Sequence, residues 1–208
     1  MRGGLDDARV YLVAPAQLRA GRLAHLVAEL VDAGVGIVQL REKEAEAGDV
    51  IRMGEPVLAA CREAGVPFII NDRPDIAVAI DADGVHVGQN DLPATWARRI
   101  VGERVVGLSS HTEGEIDAAM ALGKDIDYLV AGPVHETPTK HGRPGTGPSL
   151  IRYAAERVDI PWFAIGGIDA RTLPEVLEAG ARRIVVVRAI TEAADPPAAA
   201  AELHALLS

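Results

Sequence analysis

The chain has 208 residues, 49% of them apolar but only 3% aromatic, and a formal net charge of −9. That length suits one domain with a full hydrophobic core, spanning residues 1–208. The charge excludes non-specific nucleic-acid binding, which needs a basic surface, and the single cysteine, Cys61, excludes an internal disulfide or a thiolate metal cluster.

Few aromatics leave Val, Ile, Leu and Ala to build the core, which suits strands buried on both faces by helices. Short Val/Ile-rich runs recur along the chain, predicting strands at Val10 to Val13, Gly36 to Leu40, Pro67 to Ile70 and Gly84 to Val87. Four more follow at Arg104 to Leu108, Tyr128 to Ala131, Trp162 to Ile165 and Arg183 to Val187. Helix-like segments lie between them, and Cys61 falls in one as a buried structural thiol. Pro56 interrupts the helix after the second strand and predicts a bend there. Thr112 with Glu115, and Thr172 with Glu175, read as capping boxes, with Gly123 and Gly180 as left-handed exits. Asp195-Pro196 opens the last helix.

Eight strand–helix units in this length predict a single α/β domain, a (β/α)8 TIM barrel. The competitor is an open doubly wound sheet, but "VAPAQLRAG" follows the first strand where that fold carries a G-x-G-x-x-G turn. No basic segment precedes a long apolar run at the N-terminus, and no stretch approaches membrane-spanning length, so a soluble cytoplasmic protein without a membrane partner is expected. Exposed apolar faces of barrel helices leave a homodimer open.

Function in such a barrel collects at the C-terminal ends of the strands. Asp72 and Asp91 follow the third and fourth strands, so both can point into one mouth, where two hard oxygen ligands suit a single Mg2+. The other reading makes both helix N-caps, because "NDRPD" and "QNDLP" each precede a helix. Gly166-Gly167 ends the seventh strand, either as a phosphate cradle or as a tight turn. Gln39, Arg41 and Lys43 share one face by their spacing of two, as ligand groups or as a solvated rim. The hydroxyl-rich, basic stretch "TPTKHGRPGTG" belongs to a loop too long for a simple connection. His111 reads as a hydrogen-bonding loop residue and His86 as structural, whereas His135 and Glu136 lie in the long loop. Two anionic groups are implied, one near the carboxylates and one near the glycines. No nucleophilic constellation appears, which favours chemistry by positioning and charge neutralisation.

In order along the chain, "QLREK", "NDRPDIA", "DGVHVGQNDLP", "GLSSHT", "DYLVAGPVHETPTK", "WFAIGGI" and "VVRAI" resemble the thiamine phosphate synthase family, over roughly residues 9–192. The resemblance implies a (β/α)8 barrel that joins 4-amino-5-hydroxymethyl-2-methylpyrimidine diphosphate to 4-methyl-5-(2-hydroxyethyl)thiazole phosphate, releasing pyrophosphate and thiamine phosphate. It implies that the run Gln39, Leu40, Arg41, Glu42 and Lys43, with Asn71, Ser109 and Lys140, takes the pyrimidine diphosphate. Asp72 and Asp91 would hold one Mg2+, and Thr137, Pro138, Thr139, Gly167, Val187 and Arg188 would take the thiazole phosphate. Arg41, Lys140 and Ser109 would be catalytic, in a dissociative reaction. The chain departs from the family at Arg188, where serine is common, at His135-Glu136 in place of an aromatic–proline pair, and at Ala14-Pro15 for Thr-Asp. Rivals are the thiazole tautomerase branch, which carries a histidine where Pro133 stands and lacks the Asp pair, and a non-catalytic thiazole-phosphate binder.

Overall fold

A computed structural model describes residues 3–16, 18, 21–136 and 145–208. The apolar runs form eight strands: β1 (Val10–Ala14), β2 (Val35–Leu40), β3 (Phe68–Asn71), β4 (Gly84–Val87), β5 (Val105–Ser110), β6 (Tyr128–Ala131), β7 (Trp162–Ile165) and β8 (Ile184–Val186). They pair in parallel in chain order, and β8 pairs with β1, so the sheet closes into a barrel. The helices are α1 (Gly3–Asp7), α2 (Leu23–Asp32), α3 (Ala47–Ala64), α4 (Pro74–Ala79), α5 (Ala94–Val101), α6 (Glu113–Ala121), α7 (Pro148–Arg157), α8 (Leu173–Glu178), α9 (Arg188–Thr191) and α10 (Pro196–Leu206). The expected (β/α)8 barrel is therefore the fold. Among the described residues no helix is long and apolar enough to cross a membrane.

Strand parity divides the core in two. Val10, Leu12, Val38, Leu40, Ile70, Val85, Leu129 and Val186 point outward into the helical layer. Tyr11, Val13, Ile37, Ile69, Tyr128, Val130, Phe163 and Val185 point inward, with Leu5 and Ala8 packed among them from the N-terminal side. The outer layer is aliphatic almost throughout, as expected. The interior is not: Tyr11, Tyr128 and Phe163 meet edge to face at centroid distances of 5.5–5.8 Å, placing three of the chain's few aromatics in its centre.

Several local expectations need correction. β3 runs one residue further, to Asn71, and β5 two further, to Ser110, because both keep ladder partners: Asn71 opposite His86, Ser109 opposite Val130. Pro56 lies inside α3, an unbroken 18-residue helix that ends on Gly65 in the left-handed conformation. Its ring is exposed, so the amide it lacks is on the solvent side. Thr112 accepts from the Glu115 N–H as a cap should, but the Glu115 carboxylate takes the His111 N–H instead of that of Thr112. Thr172 caps nothing. Its hydroxyl donates to the Gly167 carbonyl at 2.9 Å, while the Asp169 carboxylate takes the amides of Arg171 and Thr172.

Candidate active site

The strands' C-terminal ends surround a cavity of about 640 Å3, lined by residues including Gln39, Arg41, Asn71, His86, Ser109, Pro133, Gly167 and Arg188. Of the residues expected to bind substrate, Gln39, Arg41, Asn71, Ser109, Gly167, Val187 and Arg188 line it. Lys43, Asp72 and Asp91 stand outside that lining, at its edge beyond β2, β3 and β4. Leu40 is the wrong parity for a side-chain contact and packs into the helical layer. Glu42 is also turned away, accepting the Ala16 N–H at 2.6 Å and tying the loops after β1 and β2 together. Thr137, Pro138, Thr139 and Lys140 lie outside the described residues.

Neither Asp72 nor Asp91 caps a helix. Arg73 and Pro93 occupy the cap positions of α4 and α5, and neither cap carries a side-chain hydrogen bond. Asp72 instead takes a left-handed backbone, φ 61°, with its N–H donating to the His86 carbonyl at 2.8 Å. Aspartate tolerates that conformation better than most residues. The turn brings its carboxyl to 3.0 Å from the Lys43 ammonium and within hydrogen-bonding reach of Asp91. Asp91 folds back on Gly88, accepting its N–H at 2.9 Å; a Cβ at Gly88 would stand 2.8 Å from that carboxylate oxygen, so glycine makes room. Burial pushes the Asp72 carboxyl above its ordinary range, Lys43 opposes this, and Asp91 adds to the rise. At Asp91 burial also pulls upward, but the hydrogen bond from Asp72 and the Gly88 N–H outweigh it and hold the carboxyl below that range. Two carboxyls this close repel when both are charged, which is why the rise at one accompanies the fall at the other.

A divalent cation relieves the same repulsion. Among the described residues no cluster of three or more His, Cys, Asp or Glu surrounds one point. A cation between Asp72 and Asp91 must complete its shell with water or substrate oxygens, which is how Mg2+ is ordinarily bound. The donor set fits that ion.

Across the mouth, Gly166 and Gly167 both have positive φ, 113° and 63°. A Cβ on Gly166 would meet Pro133 at 2.5 Å and one on Gly167 would meet His135 at 2.8 Å, so the pair also satisfies packing against the loop after β6. The tight-turn reading of the glycines is the one these contacts bear out. α9 begins directly after Val187, and Val187, Arg188 and Ala189 face the cavity. The loops after β7 and β8 with the start of a short extra helix form the recurrent phosphate site of this fold. The Arg188 guanidinium lies 3.9 Å from the Glu192 carboxylate. His111 is the expected loop residue, its ring against the Gly132 carbonyl.

The floor holds groups that the residue reading did not assign to the site. Gln39 Nε2 donates to the Tyr11 hydroxyl at 2.6 Å, and Tyr11 and Tyr128 hydroxyls are 2.8 Å apart. His86 joins Tyr128 at 3.0 Å through Nδ1 and Ser109 at 2.8 Å through Nε2. Burial pushes both phenols far above their ordinary values, so they stay protonated. Tyr128 fits because Gly107 lies beside it on β5: a Cβ there would overlap the phenol ring at 2.0 Å. Inward parity with Tyr11, Gln39 and Ser109 was the available signal. Asn71, also buried, leaves its amide Nδ2 without a hydrogen-bond partner among the described residues.

The family model described as thiamine monophosphate synthase matches residues 10–190. Thiamine-phosphate synthase of Mycolicibacterium vanbaalenii is 50% identical over 214 residues, covering 98% of this chain and 96% of its own. That of Thermus thermophilus is 54% identical over 172 residues, 82% of each chain. Among solved structures, thiamine phosphate pyrophosphorylase from Pyrococcus furiosus superposes with a TM-score of 0.87 at 31% identity, over 98% of this chain and 96% of that one. A 3-hexulose-6-phosphate synthase, at 21% identity and TM-score 0.68, shares the fold alone. The chain belongs to the thiamine monophosphate synthase family, and with it to the transferases.

Proposed function

We propose that the protein condenses 4-amino-5-hydroxymethyl-2-methylpyrimidine diphosphate with 4-methyl-5-(2-hydroxyethyl)thiazole phosphate, releasing pyrophosphate and thiamine phosphate. The observation that carries this reading is a mouth with two ends. A carboxylate pair with Lys43 lies beyond β3 and β4, a glycine and α9 cradle lies beyond β7 and β8, and a cavity of about 640 Å3 separates them. That is room for two small heterocycles, each with its anionic tail at a different end.

Asp72 and Asp91 would hold Mg2+, which when bound supplies charge neutralisation on the departing pyrophosphate. Lys43 is already beside Asp72 and can exchange that carboxylate for a phosphate oxygen; Arg41 faces the same end from inside the cavity. The amides around Gly167 and Arg188 orient the thiazole phosphate so that its ring nitrogen meets the pyrimidine methylene carbon in line. The pyrimidine's amino group spreads the positive charge that develops there as the carbon–oxygen bond breaks. Positioning and electrostatics then account for catalysis, in keeping with the missing nucleophile. Lys140, outside the described residues, is assigned to the same departing charge.

The test gives the protein both substrates and follows thiamine phosphate and pyrophosphate together, with and without chelator. Stoichiometric formation of both, abolished by chelation and restored by Mg2+, is the expected result. Isomerised thiazole without pyrophosphate would move the chain to the tautomerase branch, and binding without turnover to a carrier.

A further inference from the structure

The hydrogen bonds beneath the cavity form one chain from Gln39 through Tyr11, Tyr128 and His86 to Ser109, and proton bookkeeping gives that chain a direction. Gln39 Nε2 is a donor, so Tyr11 oxygen accepts from it. Among the described residues the Tyr11 hydroxyl meets only Gln39 and Tyr128, and Tyr11 is fully buried. Its own proton therefore has one destination, the Tyr128 oxygen 2.8 Å away. Tyr128, having accepted there, turns its proton to His86 Nδ1 at 3.0 Å. An imidazole that accepts at Nδ1 carries its proton at Nε2, which donates to Ser109 Oγ at 2.8 Å. The Ser109 hydroxyl proton is then the one left over, at the cavity wall. With Gln39 Nε2 toward Tyr11, the reverse order would strand the Tyr11 proton in the barrel interior, at the cost of an unsatisfied buried donor; it would require the amide to present Oε1 instead.

We propose that Tyr128 is a positioning residue: acting through His86, which it holds as the Nε2–H tautomer, it makes the Ser109 hydroxyl a dedicated proton donor to whatever occupies the cavity. The ligand group met by Ser109 is accordingly a hydrogen-bond acceptor. The consequence for catalysis rests on the synthase reading above, whereas the tautomer does not.

The experiment is 15N NMR of the histidine side chains in the full chain, with the His86 signals identified by their loss in His86→Gln. The wild-type spectrum should show His86 protonated at Nε2; protonation at Nδ1 would overturn the proposal, whatever the variants' stability. Tyr128→Phe, which removes one oxygen, should leave His86 as a mixture of tautomers. Tyr11→Phe should keep the Nε2–H form, because Tyr128 still donates. An unchanged tautomer in folded Tyr128→Phe also overturns the proposal. In the coupling assay Tyr128→Phe should lower kcat by roughly tenfold and leave both KM values within about twofold, the scale of one misdirected hydrogen bond. Ser109→Ala should give the same loss, and the double variant no more. His86→Gln, whose amide can still donate to Ser109, should retain more turnover than His86→Leu. Failure of the wild-type protein to make thiamine phosphate would refute the proposed function and leave the tautomer measurement standing.

Discussion

Aspartates stand at both ends of this barrel's strands, and they do opposite things. Asp83 and Asp127 come immediately before β4 and β6. Each accepts a backbone N–H from the neighbouring strand, of Phe68 at 2.9 Å and of Val106 at 2.8 Å, and so continues the ladder below its last residue. Asp127 also pairs with Arg98 at 2.5 Å in a nearly dry setting. Asp72 and Asp91 come just after β3 and β4, where the only backbone amide either carboxylate takes, among the described residues, is that of Gly88. Carboxylates spent on backbone amides hold the barrel shut; carboxylates left facing one another remain available to a cation. Position along the strand, not residue type, separates architecture from chemistry.

Asp127→Ala tests the lower end most severely. It takes the carboxylate from the Val106 N–H and from the Arg98 guanidinium, which among the described residues keeps only the Gly102 and Arg104 carbonyls, and should remove about 3–5 kcal/mol of stability. The melting temperature should then fall by on the order of 10 °C, with turnover per folded molecule unchanged in the cold. Cys61 offers a second readout, since burial and the nearby Asp83 push its thiol up to about 12 and make it inert while folded. Alkylation of Cys61 should quicken in Asp127→Ala and stay at the wild-type rate in Asp91→Ala. Equal melting temperatures for those two variants would erase the contrast between the ends.

Asp91→Ala is the matching cut above. Metal-dependent coupling should fall by about 10²–10³-fold, the usual scale for losing one group that stabilises developing charge. Thermal stability should move by no more than ~0.5 kcal/mol. Normal Mg2+-dependent turnover in this variant would end the metal assignment. Asp83→Ala, read by denaturant unfolding, should cost about 1–3 kcal/mol for the orphaned Phe68 N–H, again without a kinetic effect.

Arg188→Ser probes the far side of the mouth. The Glu192 contact at 3.9 Å is too long to hold the guanidinium firmly, leaving it able to meet a phosphate. Thiazole-phosphate affinity should drop about tenfold, the worth of one charge-assisted hydrogen bond, by calorimetry at low salt. Pyrimidine diphosphate binding should be unaltered. Unchanged thiazole-phosphate affinity would leave that role to the backbone alone.

The smallest effect concerns pH. The folded Asp72 carboxyl sits above its ordinary range, so folded protein binds that proton more tightly than unfolded protein does. Its charged form is a cost, absent below the ordinary carboxylate range and complete once pH exceeds the raised value. Asp72→Asn, which keeps a residue tolerant of positive φ, should therefore melt slightly higher than wild type at neutral pH without metal. The gain should vanish in acid. A gain that persisted there would point to a cause other than charge.

Much of this was legible before any fold was seen. Strand–helix alternation is written in windows of a few residues, and so is the change from Val and Ile to Asn, Asp, Gln or Gly where a strand leaves the barrel. Those signals located the mouth and put Gln39 in its lining and Asp72 and Asp91 at its edge, whereas Asn71 and Ser109 were named by the family resemblance. The Leu40 side chain was misplaced within a run quoted whole, although strand parity alone turns it outward, and nothing local distinguished the box at Thr172 from a working one. What the sequence could not settle is which groups meet. Tyr11 and Tyr128 share a hydrogen bond across 117 residues, and their contact exists because closing β8 onto β1 aims alternate side chains of distant strands at one axis. Whether Asp72 and Asp91 cap helices or face each other was decided by a left-handed turn and a glycine, both set by the loops around them. Periodicity is a property of neighbours in the chain; a site is a property of neighbours in space, and only register and closure convert one into the other.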